Sequence, residues 1–234
     1  MNIVIYVYNG LTALDAIGPY EVLSRLPEAN IKFVGEEKGV IVSDTHFLKI
    51  FAEYDITEVS TADILVVPGS TVGFLREIKK KPVLSWLQQI HAQTQWTASV
   101  CTGSIILAAA GILQGLKATS HWAAIHLLQD YGVEPQPERF IQQGKIITAQ
   151  GVSAGIDMAL SLVAELLGEE KARAYQLAIE YFPDPPLGIR KAEELDESTR
   201  KLAQKIMAAD ARKDLSIIET IRNAQGLLKL QRGK

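Results

Sequence analysis

One cysteine occurs in the 234-residue sequence, and its surroundings suit a reactive thiol as well as a core residue. Cys101 lies in WTASVCTGSIILAAAG (96–111), where a strand-like run meets an apolar helical one. Ser99 and Gly103 stand two positions to either side. Small residues at that spacing fit a nucleophile elbow, a turn so tight that bulk is excluded from its flanks and the central side chain is pushed out at the sheet edge. A thiol so placed meets the unpaired N–H groups of the following helix, which favour the thiolate. A nucleophile is one reading of Cys101. A small buried hydrophobe is the other, as free cysteines often are.

Further candidates lie where strands hand over to helices or loops. Asp15 is flanked by Leu14 and Ala16, so it is either the cap of the coming helix or a partly buried carboxyl placed for acid chemistry. Gly69 and Gly73 frame Ser70 in a strand-to-helix turn. Such glycines imply either close backbone approach, with N–H groups arranged as an anion nest, or only a tight turn. His121 follows a short strand, where open α/β sheets line ligand crevices; a hydrogen-bonded structural histidine is the alternative. CxxC, HExxH, GxGxxG and GxxxxGK[ST] are all missing, and His46 has no second ligand at metal spacing. No metal, nucleotide or flavin is therefore expected.

Bringing such groups together takes strands that end side by side. Asn2–Tyr8 reads as a buried parallel strand closed by Asn9-Gly10, and Tyr20–Leu26 as a helix with Pro19 in its first turn. Ile31–Gly35, Asp63–Val67 and Trp96–Val100 read as further core strands, with Val40–Val42 and Phe47–Ile50 a small paired excursion. Pro82–Gln93, Ala123–Tyr131, Ala154–Leu167 and Glu169–Tyr181 read as helices, and Phe140–Gln143 with Lys145–Ala149 as a hairpin about Gly144. This alternation predicts an α/β fold, a three-layer sandwich around a doubly wound, mostly parallel sheet. There the Asp15 loop, the Gly69 turn, the elbow and His121 converge on one crevice.

Pro183-Asp184-Pro185-Pro186 is the clearest linker, so residues 1–187 are expected to form the α/β domain and 188–234 a C-terminal helical extension. Glu193–Asp210 and Leu215–Leu230 carry apolar stripes (Leu195, Leu202, Ile206; Ile217, Ile218, Ile221, Leu228) suited to packing on the main domain or on a second subunit. A DNA-reading helix pair is the alternative, and the lack of a basic face speaks against it. A net charge of −3 gives no footprint for nucleic acid or an anionic membrane. No apolar run reaches the roughly 20 residues of a membrane span. A lone cysteine and a start without a basic-then-apolar leader predict a cytoplasmic protein.

Together LDAIGPYEVL (14–23), VVPGSTVG (66–73), SVCTGSIILAAAGILQG (99–115), ATSHWA (118–123) and GVSAGIDMAL (151–160) resemble the ThiJ/PfpI superfamily, whose sheet is like that of class-I glutamine amidotransferases. The resemblance runs over about residues 2–187. Within it the chain is most similar to the isonitrile hydratase branch. Thr102, not a histidine, follows the cysteine, and Asp15 stands where other branches carry a glutamate. AraC-type regulators share the Cys-Thr-Gly and His-Trp signatures, yet they carry a further DNA-binding domain for which this tail is too short.

The resemblance implies cofactor-free hydration of a small isonitrile, R–N≡C, to an N-substituted formamide by a homodimer. It implies Cys101 as nucleophile, Asp15 as proton donor, Thr102 as an orienting hydroxyl, and the Gly69 and Ser70 N–H groups at developing charge. His121 and Gln150 would line the substrate site. Gln150 is a departure: the hydratases have a glycine-rich turn where this chain reads Thr148-Ala149-Gln150-Gly151, so the pocket is narrowed or its substrates changed. Two other classes stay open. One is a different enzyme on the same scaffold (amidase, peptidase or glyoxalase-like), the peptidase weakened by the missing histidine after Cys101. The other is a non-enzymatic stress or redox sensor built on the thiol.

Overall fold

The computed structural model describes residues 1–189, 191–209 and 211. The first apolar run forms β1 (Asn2–Tyr6), where Ile3 to Tyr6 are at most 1% exposed, as a strand covered on both faces must be. There follow α1 (Ala13–Leu23), β2 (Asn30–Gly35), β3 (Gly39–Val42), β4 (Lys49–Ala52), β5 (Tyr54–Asp55), β6 (Ile64–Val67), α2 (Phe74–Glu77), α3 (Lys81–Gln93) and β7 (Trp96–Val100). Then come α4 (Gly103–Ala109), β8 (Lys117–Ala118), β9 (Glu134–Pro135), β10 (Phe140–Gln143), β11 (Ile146–Ala149), α5 (Ala154–Leu167) and α6 (Glu169–Ala178).

Seven strands form one sheet in the order β10-β11-β7-β6-β1-β2-β5. Every pairing in it is parallel except that of β10 with β11. Helices flank the sheet, α1 packing on α5 and α4 on α2 and α3, which is the expected doubly wound sandwich. From β1 the chain steps to β2 on one side and later returns to β6 on the other. The loops after β1 and β6 therefore diverge at a topological switch point, where open α/β sheets hold their ligands. The elbow after β7 lies one strand further along.

The helix expected from Tyr20 begins at Ala13 instead and carries Pro19 inside it. The helix pattern was masked by Gly18 and Pro19, which are there for packing. A Cβ on Gly18 would come within 3.2 Å of Ile156, and one on Gly155 within 3.3 Å of the Pro19 ring, so the two helices meet through these residues. Asp15 is consequently a first-turn residue, and Thr12 takes the cap position. The helix expected over Ala123–Tyr131 is a 3-10 helix at Ile125–Tyr131, ended by Gly132 at φ 68°. The C-terminal region is helical over 197–209, a few residues later than its pattern suggested; the second expected helix, Leu215–Leu230, lies outside the described residues. Leu202 and Ile206 are each 58% exposed. Glu197, Arg200, Lys201 and Gln204, on the other side of that helix, line a cleft with Trp122 of the α/β domain. No described helix is long and apolar enough to cross a membrane.

Candidate active site

The elbow forms as its spacing requires. Cys101 has φ 59°, in the left-handed region that a side chain occupies only when neighbours over-determine it. Its N–H donates to the Ala149 carbonyl at 3.0 Å, and its own carbonyl accepts the hydroxyls of Ser104 at 3.1 Å and Ser120 at 3.0 Å. Two glycines let the β6 turn lie against this bend. A Cβ on Gly103 would stand 2.0 Å from the Val67 oxygen, and one on Gly69 would stand 2.4 Å from the Thr102 nitrogen. Gly103→Ala is accordingly expected to cost more than about 3 kcal/mol, read as a lowered urea midpoint, because the obstacle is backbone that cannot step aside.

Asp15 enters from the first turn of α1, past the Thr12 cap position, and is fully buried, which selects the placed carboxyl over the helix cap. Its Oδ2 accepts the Gly69 N–H at 3.0 Å, while Oδ1 is buried with no hydrogen-bond partner. The carboxyl and the Cys101 thiol lie near enough to alter each other's proton affinity. Burial raises the Asp15 pKa to about 8, against the lowering influence of the Gly69 N–H and the thiol. A neutral acid that accepts an N–H on Oδ2 carries its proton on Oδ1.

The thiol differs from the sequence expectation. Cys101 is 4% exposed rather than standing out at the sheet edge, and burial, reinforced by the Asp15 carboxyl, pushes its pKa well above the usual thiol value. The Thr102 N–H favours the thiolate but is outweighed. The helix that was to supply a positive dipole end, α4, spans seven residues, too short to offset complete desolvation. At neutral pH the resting pair is acid and thiol, not acid and thiolate.

The N–H groups of Gly69 and Ser70 were expected to face developing charge, and both are already engaged. Gly69 donates to Asp15, and the Ser70 N–H donates to Thr102 Oγ1 at 2.8 Å. Thr102 in turn donates to the Ser70 carbonyl at 2.9 Å, so its hydroxyl staples the elbow to the β6 turn and has no hydrogen bond to Asp15. Close approach of backbone, not an anion nest, is thus what Gly69 provides. Cys101, Asp15, Thr102, Gly69 and Ser70 form one buried cluster.

His121 and Gln150 stand apart from it. Together with Leu14, Trp122 and Val152 they line a cleft of about 260 Å³. The cleft abuts the cluster through chain neighbours: Leu14 precedes Asp15, His121 follows Ser120, and Gln150 follows Ala149, which holds the Cys101 N–H. Burial lowers the His121 pKa, keeping the ring neutral. Three residues in or around the cluster escaped the sequence reading. Tyr8 is 2% exposed, donates to the Pro68 carbonyl at 3.1 Å, and lies close enough to Asp15 and Cys101 for their charges to raise its pKa. Its position just past the end of β1 was the available signal. Ser120 lay inside a quoted motif, masked by the histidine beside it. Asp44, on the β3–β4 turn, carried no sequence signal.

The DJ-1/PfpI family profile matches residues 1–165. An isonitrile hydratase of Pseudomonas putida is 39% identical over 174 residues, which is 74% of this chain and 75% of that one. A solved ThiJ/PfpI family protein from Pseudomonas syringae superposes with a TM-score of 0.84 at 33% identity, covering 91% of this chain and 88% of that one. Oxidized DJ-1 from Toxoplasma gondii shares the fold, with a TM-score of 0.68 at 22% identity over 78% of this chain and 99% of that one. On the breadth of the profile match and the two relatives of 33% and 39% identity, the chain belongs to the DJ-1/PfpI family.

Proposed function

We propose that this protein hydrates a small isonitrile to the corresponding N-substituted formamide, with Cys101 as nucleophile and Asp15 as the proton-transfer group. The observation that carries this reading is the buried pair itself: a carboxylic acid with a pKa near 8 and an unpartnered oxygen, set against a thiol. The terminal carbon of R–N≡C has a lone pair to protonate and, once protonated, is strongly electrophilic. Asp15 Oδ1–H gives its proton to that carbon while the Cys101 sulfur bonds to it, and the thiol proton passes to the carboxylate. The product is the thioimidate R–N=CH–S–Cys101, with Asp15 again neutral.

Water then adds to the same carbon. Asp15 protonates the nitrogen and takes a proton from the water, giving R–NH–CH(OH)–S–Cys101. The C–S bond breaks as the hydroxyl proton returns to sulfur by way of Asp15, releasing R–NH–CHO. Each resting point is uncharged, so the route suits a buried site in which the Gly69 and Ser70 N–H groups are already occupied. Acyl transfer by an amidase or peptidase needs free donors for an oxyanion, which Gly69 and Ser70 do not offer. A redox sensor reacts through a thiolate, and burial, which pushes the Cys101 pKa up, opposes one.

The test is proton NMR of purified protein with phenyl isocyanide in buffer. Formanilide should accumulate catalytically, and none above the protein-free control would end the hydratase reading. Gln150 occupies cleft volume, so Gln150→Gly is expected to raise kcat/KM for a bulky isonitrile by about 10-fold, and more than for a small one. Parallel assays with methyl and naphthyl isocyanides check this.

A further inference from the structure

The β3–β4 hairpin lies outside the main sheet, yet its turn reaches the loops of the candidate site. Asp44, 8% exposed, accepts the Thr12 hydroxyl at 2.6 Å and the Thr71 hydroxyl at 3.2 Å on the same oxygen, Oδ2. Its N–H donates to the Leu11 carbonyl at 2.9 Å. The end of β3 beside the turn is tied to the same first loop: the Gly10 N–H donates to the Val42 carbonyl at 2.8 Å, and the Val42 N–H to Asn9 Oδ1 at 2.9 Å.

From Asp44 a closed run of hydrogen bonds leads to the acid. The Thr12 N–H donates to the Gly69 carbonyl at 3.0 Å, the Gly69 N–H to Asp15 Oδ2 at 3.0 Å, and the Asp15 N–H to the Thr12 carbonyl at 3.1 Å. Thr71 adjoins Ser70, whose backbone Thr102 holds beside the elbow. Thr12 is the cap residue of α1 but makes no side-chain cap bond, because its hydroxyl goes to Asp44. The bond to Asp44 thus replaces a local helix cap with a cross-loop tie.

We propose that Asp44 is a positioning residue for the Asp15–Cys101 pair: one carboxylate oxygen clamps the loop leading to Asp15 to the turn that holds Gly69 and Ser70, and so fixes where the acid stands against the thiol. The inference rests on that pair being the reacting groups, as in the proposed hydration. Asp44 also acts through charge, since its carboxylate disfavours ionisation of Asp15. The other groups facing Asp15 are the Gly69 N–H from the β6 turn, the Cys101 thiol from the elbow and the Tyr8 phenol beyond β1. On α5, packed against α1, Asp157 is engaged by Arg139 at 2.7 Å.

The experiment measures the rate of Cys101 alkylation by iodoacetamide against pH, alongside isonitrile turnover, in the wild type and in the Asp44→Asn and Thr71→Val proteins. Asp44→Asn keeps an acceptor oxygen and removes the charge. The alkaline limb of turnover should move to lower pH as Asp15 ionises earlier, and alkylation between pH 7 and 8 should slow several-fold, because the ionised carboxyl disfavours the thiolate. Thr71→Val loosens the clamp and keeps the charge, so turnover should fall several-fold with the profile unmoved. A merely structural role would lower the melting temperature and leave both profiles in place. The proposal is overturned if Asp44→Asn changes neither profile, or if Thr71→Val turns over at the wild-type rate. Should no form hydrate an isonitrile, the hydratase reading fails while the alkylation profiles still decide the role of Asp44.

Discussion

Cys101→Ala is expected to lower kcat/KM for isonitrile hydration by about 10⁴-fold or more, a loss of about 5 kcal/mol of transition-state stabilisation. The sulfur forms the bond that carries the carbon from isonitrile to thioimidate, and no other described side chain in the cluster offers a comparable nucleophile. Asp15→Asn should cost about 10²- to 10⁴-fold, the usual worth of a general acid, because the amide keeps the shape but has no proton to cycle. Formamide production followed by NMR measures both. Turnover in the wild type should hold steady below pH 8 and decline above it, because the acid form of Asp15, with its pKa near 8, is the competent one. A Cys101→Ala protein that kept most of its activity would remove the covalent route.

The second large effect is on stability. Asp15 holds its proton to about pH 8 when folded, whereas in the unfolded chain it titrates near its ordinary value of 3.8. Below the lower pKa both states are protonated. Between the two, the folded protein retains a proton that the unfolded chain has lost, so stability falls as pH rises, by about 1.4 kcal/mol per unit. The total, on the order of 5 kcal/mol, is a large share of the 5–15 kcal/mol typical of a folded domain. Other carboxylates contribute their own slopes, so the comparison must be with Asp15→Asn. Urea unfolding at pH 5 and pH 8 should show the wild type losing several kcal/mol relative to that variant. Parallel behaviour of the two proteins would mean that Asp15 titrates normally in the fold.

The two groups that dominate these expectations were legible from types and spacing. Ser99, Gly103 and the lone cysteine announced the elbow because steric exclusion at a tight bend is local. Asp15 was visible as an acid in apolar company, although Gly18 and Pro19 hid the helix it belongs to; they answer to α5, far along the chain. What could not be read was how the backbone donors are shared out. Nothing in Pro68-Gly69-Ser70 tells that the N–H groups of Gly69 and Ser70 are taken by Asp15 and Thr102, since both partners arrive from other elements. The same holds for the sign of the thiol shift. A helix start is a sequence feature, but its weight against desolvation depends on how completely the neighbours close over the sulfur, and they leave it 4% exposed. Asp44 shows the limit most clearly, for its partners Thr12 and Thr71 lie in loops that only the sheet order brings together.

The central claim is that isonitrile carbon becomes bonded to Cys101 during turnover. Rapid acid quench of the wild-type protein with phenyl isocyanide, followed by intact-mass and peptide-level mass spectrometry, tests it most directly. The account requires a transient species heavier by the mass of one isonitrile, located on the peptide containing Cys101 and absent from the Cys101→Ala protein. Formamide accumulating at full rate with the thiol unmodified at every quench time would contradict it.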